Sequence, residues 1–322
     1  MLDVAMSQVT TARWELPREL AHVTEHGFPA LALWRPKVSD VGVATAAGRL
    51  ARFGVRASSL HWAGGFTGSD GRSFAESVAD AIEAIEAAAA LGTAGHRPVL
   101  VVHSGCRGGH TRTHAVRLLD EALAAILPLA DRRGVALALK PFRAAAAPGC
   151  SFLTHLEEAL ATVERFAHPC LRLALDLWQF ADDPACEPLL PSLARAAAIV
   201  QVADRVGAVT PDGDRLPVGF GDLPLERLVA GLWAAGYRGH LEFDPVGETV
   251  ETLGYARVLR ETRAVTDAWS SRLPVEDGAE TMGPQSSGSF VEADAPLAHF
   301  AAAEPLRGSR RSQASSQVVS PG

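Results

Sequence analysis

The 322-residue chain lacks the features that announce several large classes of protein. Its four cysteines, Cys106, Cys150, Cys170 and Cys186, lie far apart and form no CxxC pair. That argues against a zinc knuckle or a dithiol redox motif and suits reduced thiols in a cytoplasmic protein. No run reaches the ~18 apolar residues that a bilayer requires, and residues 1–8 show no basic segment ahead of an apolar core, so neither a membrane span nor a secretory leader is expected. Excess positive charge is also missing: the formal net charge is -7, a poor match to a nucleic-acid backbone. P-loop and dinucleotide fingerprints are absent too, which leaves a small molecule as the expected partner.

What is present is an ordinary globular composition, 48% hydrophobic and 21% charged, arranged in a repeating pattern. Short apolar runs that end on a polar side chain alternate with stretches of helical periodicity. Strands are expected at 3–9, 29–34, 55–62, 98–103, 135–140, 171–176, 199–204 and 239–244. Between and after them, helices are expected at 16–26, 41–53, 74–91, 114–133, 154–166, 189–197, 224–235 and 252–269, with Thr154 and Asp222 at helix starts. Eight such units read as one α/β domain, a (β/α)8 TIM barrel over residues 1–270. Residues 271–322, rich in Ser, Gly, Ala and Pro, read as a disordered tail.

In such a barrel the chemistry gathers at the C-terminal ends of the strands. Those ends carry Lys140, Asp176, Gln201 and Asp244, with Glu242 on the same face as Asp244 because strand side chains alternate. The third strand ends in His61 and Trp62 and leads into a glycine-rich loop at 63–71, a candidate substrate cover. The fourth ends in His103, followed by a second glycine-rich loop bearing Arg107, His110 and Arg112, side chains able to grip a phosphate or carboxylate. Trp62 and Trp178 are candidates for stacking on a sugar face, or else rim aromatics, and Asp204 with Arg205 reads as a structural pair.

The segments His61-Trp62-Ala63-Gly64-Gly65-Phe66-Thr67-Gly68, His103-Ser104-Gly105, Asp176-Leu177-Trp178-Gln179, Gln201-Val202-Ala203-Asp204, Gly219-Phe220-Gly221-Asp222 and Gly236-Tyr237-Arg238-Gly239 together resemble the xylose-isomerase-like barrels. That superfamily contains sugar-phosphate isomerases and epimerases and the inosose and 3-dehydroshikimate dehydratases. The resemblance covers residues 1–270 and implies a small carbohydrate or cyclitol substrate. It also implies a divalent metal, Mn or Mg, held by a glutamate on strand five, an aspartate on strand six, a histidine or glutamine on strand seven and a glutamate on strand eight. On this chain the implied ligands are Asp176, Gln201 and Asp244. His61, Trp62, His103, Arg107, His110, Trp178 and Gln179 are the implied or candidate substrate contacts, and Lys140, Glu242 and Asp244 the candidate catalytic groups.

Three positions depart from the family pattern. Strand five offers Lys140, whose ammonium has no lone pair for a cation, strand eight offers Asp244, a shorter carboxylate than glutamate, and position 179, often a histidine, is glutamine. A lysine among Asp176, Asp244 and Glu242 would stand where the metal's charge stands and pair carboxylates that otherwise repel. Three readings follow: an isomerase, epimerase or dehydratase with a weak metal site, a metal-free binding protein or pseudoenzyme, and an enzyme using Lys140 as a Schiff-base or electrostatic catalyst.

Overall fold

Runs of Val, Leu, Ile and Ala that are apolar on both faces need partner strands at their edges and helices over their outer surface. The computed structural model describes residues 1–93, 96–147 and 149–274. β1 (Asp3–Ser7) leads through α1 (Leu16–Glu25) to β2 (Ala30–Trp34), and α2 (Arg35–Val41) and α3 (Val43–Phe53) lead to β3 (Arg56–Gly64). Then come α4 (Phe74–Leu91), β4 (Val99–His103), α5 (Arg112–Arg133), β5 (Ala136–Leu139), α6 (Leu156–Phe166) and β6 (Leu171–Asp176). The ring is completed by α7 (Leu177–Phe180), α8 (Leu190–Ala196), β7 (Ala197–Val202), α9 (Leu225–Ala234), β8 (His240–Phe243), α10 (Glu248–Leu253) and α11 (Tyr255–Arg272). All eight strands are parallel and bonded in chain order, and β8 pairs with β1, so the sheet has no edge. This is the expected (β/α)8 TIM barrel.

The core has two layers. Leu31, Leu33, Leu60, Leu100, Leu137, Leu173, Val200 and Leu241 belong to the large cluster that also takes in the helices. Inside the barrel, Val99, Val101, Ala136, Ala138, Ala174 and Ile199 form a separate cluster. Among the described residues no helix is long and apolar enough to cross a membrane.

The differences from the expected elements have local causes. The helix expected at 41–53 is α3, which starts at Val43 after Gly42 at φ +81°, and α2 before it is an additional helix. The helix expected at 252–269 is α11, which starts after Gly254 at φ +78°, and α10 before it is also additional. Thr154 does not cap α6, which starts at Leu156 after His155. Nor does Asp222 begin α9: that helix starts at Leu225 after Pro224. α5 starts two residues early because Thr111 caps it, its hydroxyl accepting from the His114 N–H at 3.3 Å. The tail expected at 271–322 falls, from residue 275 onward, outside the described residues.

One glycine fixes how β3 meets β4 next to the barrel mouth. Gly64 has φ +132°, and a Cβ there would lie 2.0 Å from the His103 carbonyl oxygen. Gly64→Ala is therefore expected to cost at least about 2 kcal/mol in urea unfolding, from backbone strain plus the clash. A variant as stable as the wild-type protein would contradict this reading of the β3–β4 contact.

Candidate functional site

The register brings the polar strand ends together. Asp176 on β6 lies opposite Gln201 on β7, and Gln201 lies opposite Glu242 on β8, so three inward side chains share one level. Lys140 and Asp244 each stand one residue past a strand and keep its pairing. The Lys140 N–H donates to the Val102 carbonyl at 2.8 Å and the Asp244 N–H to the Val202 carbonyl at 3.2 Å.

Two cations occupy the centre of this arrangement. Lys140 Nζ lies 2.9 Å from Asp176 Oδ2 and also donates to Gln201 Oε1. The second cation is Arg215, from the loop after β7. Its Nη1 and Nη2 donate to Asp176 at 3.1 and 3.0 Å, and Nη2 also reaches the Asp244 oxygens at 2.6 and 2.7 Å. One guanidinium thus engages all four oxygens of two buried carboxylates. Its planar fork of donors makes this possible and suits it to buried pairs.

The loop that presents Arg215 is tied down at several points. Asp204 and Leu216 exchange backbone bonds of 2.8 Å, and Arg215 does the same with Val246 at 2.9 and 2.8 Å. The Asp204 carboxylate accepts from the backbone N–H groups of Arg205, Gly219 and Leu223 at 2.9, 3.1 and 3.2 Å. The Arg215 guanidinium also lies over the Trp178 ring, 4.8 Å from its centroid. Asp204 and Arg205 do not pair through their side chains: the Arg205 guanidinium turns to Asp182 at 2.6 Å.

Burial by itself pushes the Asp176 carboxyl upward, but Arg215 and Lys140, with the Gln179 amide at 2.8 Å, more than offset it and hold the group well below the usual carboxylate range. Asp244 goes the other way. Burial raises it, the negative charge of Asp176 adds to the rise, and Arg215 offsets them only in part. The asymmetry has a plain cause: both acids share Arg215, but only Asp176 also pairs with Lys140.

Glu242 is fully buried and belongs to a separate group. It accepts from the Ser58 hydroxyl at 2.7 Å and pairs with His61 Nε2 at 3.1 Å. Burial alone would raise its carboxyl; the His61 and serine contacts outweigh that and lower it. His61 faces a cavity of about 450 Å³ above the ends of β3, β4 and β5. Trp62, His103, Lys140 and Phe142 line it too, and Arg35 and Arg72 close one side, both paired with Asp80. Phe142 lies 4.9 Å from Lys140 Nζ.

Of the candidates, His61, Trp62, His103 and Lys140 converge on this cavity, and Asp176, Gln201, Glu242 and Asp244 lie at the strand ends beside it. Arg107, His110, Trp178 and Gln179 do not line it. His110 is held by the Thr67 carbonyl at 3.0 Å, Trp178 supports Arg215, and Gln179 ties Asp176 to the Arg143 backbone. Glu242 and Asp244 do share a face, as alternation requires, yet each serves a different cation or imidazole. Arg215 is the central residue that the strand-end pattern does not disclose, because it comes from a loop far along the chain. A compositional signal does point to Lys140: the chain has only two lysines, Lys37 and Lys140, and uses arginine everywhere else. Both lysines are buried against an acid, Lys37 on Glu19 at 3.0 Å.

A model of the xylose isomerase-like TIM barrel family matches residues 20–265. The chain belongs to this family. No match was found among curated proteins. Among solved structures, protein SMc04130 from Sinorhizobium meliloti superposes with a TM-score of 0.74 at 22% identity, over 83% of this chain and 98% of that one. An IolI protein with a bound zinc atom gives 0.72 at 17% identity, over 84% and 99%. An L-ribulose 3-epimerase gives 0.67 at 18%, over 84% and 95%. At these identities the likeness is one of fold.

The donors here do not suit the divalent ion that the family implies. Lys140 brings no lone pair, and the oxygens of Asp176, Asp244 and Gln201 are already directed at two cations. Among the described residues, the one group of His, Cys, Asp or Glu whose ligand atoms lie within 4.8 Å of one another is His22, Glu25 and His26 at the end of α1, not at the mouth.

This network generates a stability prediction. Asp176→Asn leaves two buried cations short of a counter-charge, so at pH 7 it is expected to cost about 3–5 kcal/mol. The folded state holds Asp176 below its unfolded value, so its contribution is fully present above about pH 4 and declines as pH falls through the depressed folded value. Urea unfolding at pH 7 and pH 3 should therefore show a smaller gap between wild type and variant at pH 3. A gap independent of pH would contradict the assignment.

Proposed function

We propose that this chain is a metal-independent isomerase, epimerase or dehydratase of a small sugar or cyclitol, working by proton transfer next to a carbonyl. The observation that carries this reading is the pairing of Arg215 and Lys140 with Asp176 and Asp244, where fixed side-chain charge takes the place of an ion. The cavity supports the substrate class. Trp62 and Phe142 offer apolar faces to the C–H side of a sugar ring, and Lys140 and the two histidines offer polar atoms to its oxygens. Lys140 spends two donors on Asp176 and Gln201, which leaves a third N–H for a carbonyl oxygen in the cavity. In this role it polarises the carbonyl as a cation and forms no covalent bond. Four free thiols and the acidic net charge suit a cytoplasmic protein with no nucleic-acid or membrane partner.

A second reading, a binding protein without turnover, draws on one specific observation. The acids at the ends of β6 and β8, Asp176 and Asp244, are spent on Arg215 here.

Solvent deuterium exchange separates these readings. Chelator-treated protein in D2O, given L-ribulose, D-fructose or an inosose, is expected to incorporate deuterium at a carbon next to the carbonyl, at a rate unchanged by EDTA or added manganese. Exchange that requires manganese would contradict metal independence. Binding without exchange would favour the second reading.

A further inference from the structure

The carboxylates of Asp176 and Asp244 are already engaged by Arg215 and Lys140, so the reading above requires another base, and the inference drawn here rests on that reading. We propose that His61 is the group that removes and returns the proton, with Glu242 as the residue that positions it. Glu242 accepts from Nε2 at 3.1 Å, with the Ser59 hydroxyl 2.8 Å from the same nitrogen. A carboxylate can only accept, so Nε2 carries the hydrogen and the neutral ring presents its lone pair on Nδ1. Among the described residues Nδ1 has no hydrogen-bond partner, and the ring lines the cavity that Lys140 also lines.

His103 lines the same cavity but is a weaker choice. Its Nδ1 donates to the Cys150 carbonyl at 2.9 Å, a neutral acceptor, and burial lowers its affinity for a proton. His61 has a full negative charge behind it. Glu242 pairs with His61 and with neither Lys140 nor Arg215, so its carboxylate is given over to orienting this one imidazole.

The step balances without an oxidant or co-reactant. The C–H bond next to the ketose carbonyl breaks, its proton goes to His61 Nδ1, and its electron pair forms the carbon–carbon double bond of an enolate. The enolate oxygen is stabilised by the free N–H of Lys140. Return of the proton from His61 to the former carbonyl carbon, while the proton of the hydroxyl on the original carbon passes to the enolate oxygen, gives the isomer. Delivery of a water proton to the opposite face of the original carbon, with His61 giving its proton to water, gives the epimer, and in both cases the imidazole is neutral again.

The test uses the full-length protein and deuterium wash-in from D2O to L-ribulose, D-fructose and an inosose. His61→Ala is expected to lose about 100-fold or more in exchange rate, the range of a removed general base, and to recover part of it with added imidazole. His61→Gln, which keeps a donor for Glu242 and hence the fold, should lose as much and recover nothing. Glu242→Gln should lower kcat by about 10- to 100-fold while KM stays within about twofold, a split that a merely structural role would not produce. If wild type exchanges and both His61 variants exchange at its rate, His61 is not the base, and the metal-independent reading survives. If wild type exchanges none of the three ketones, the proton-transfer reading falls and this inference falls with it.

Discussion

Two carboxylates that face each other in a water-poor barrel mouth cannot both stay ionised without a positive charge between them, and in this protein that charge is the guanidinium of Arg215. Its contacts of 2.6–3.1 Å to Asp176 and Asp244 join β6 and β8 to the loop after β7. Lys140, on the other side of Asp176, adds the end of β5 and reaches Gln201 on β7. The polar mouth is therefore held together by fixed side chains. The desolvation of each charge is offset only because the geometry satisfies nearly every donor and acceptor.

The barrel supplies the frame for this network. Closure of β8 on β1 fixes the register that aligns Asp176, Gln201 and Glu242, and the bonds of Asp204 to its own loop aim Arg215 inward. With the carboxylates of β6 and β8 committed to the cations, the free polar atoms sit to one side, over β3 to β5, where His61, His103 and Lys140 meet aromatic rings. In the proposed mechanism charge balance and proton transfer are divided between neighbouring groups. In a metal-dependent relative of the kind the family implies, a single ion and its ligands would carry both.

Much of this was legible in the sequence, for reasons that can be named. Strands such as Leu171–Asp176 announce themselves because both faces are buried and the last residue is charged, and barrel topology then puts those last residues together. Lys140 stood out as a cation in a ligand position. Arg215 did not, since a loop arginine has no periodicity and its partners are 39 and 29 residues away. The same limit hid the role of Glu242. Alternation put it on the face of Asp244, but its pairing with His61, 181 residues earlier, depends on curvature around the closed barrel. Arg107 and His110 show another limit: a glycine-rich basic loop after a strand resembles an anion site, and here neither side chain lines the cavity, with His110 packed on a backbone carbonyl.

The central claim is that Arg215 and Lys140 do electrostatically what a divalent ion does elsewhere in the family, and its most direct test is calorimetric titration with manganese and zinc. The native protein is compared with a Lys140→Glu, Arg215→Gln double variant. The account predicts no stoichiometric ion at the mouth of the native protein and one ion bound by the variant, in which a carboxylate replaces the ammonium and the oxygens of Asp176 and Asp244 are freed. One tightly held ion in the native protein, lost on Asp176→Asn, would contradict it.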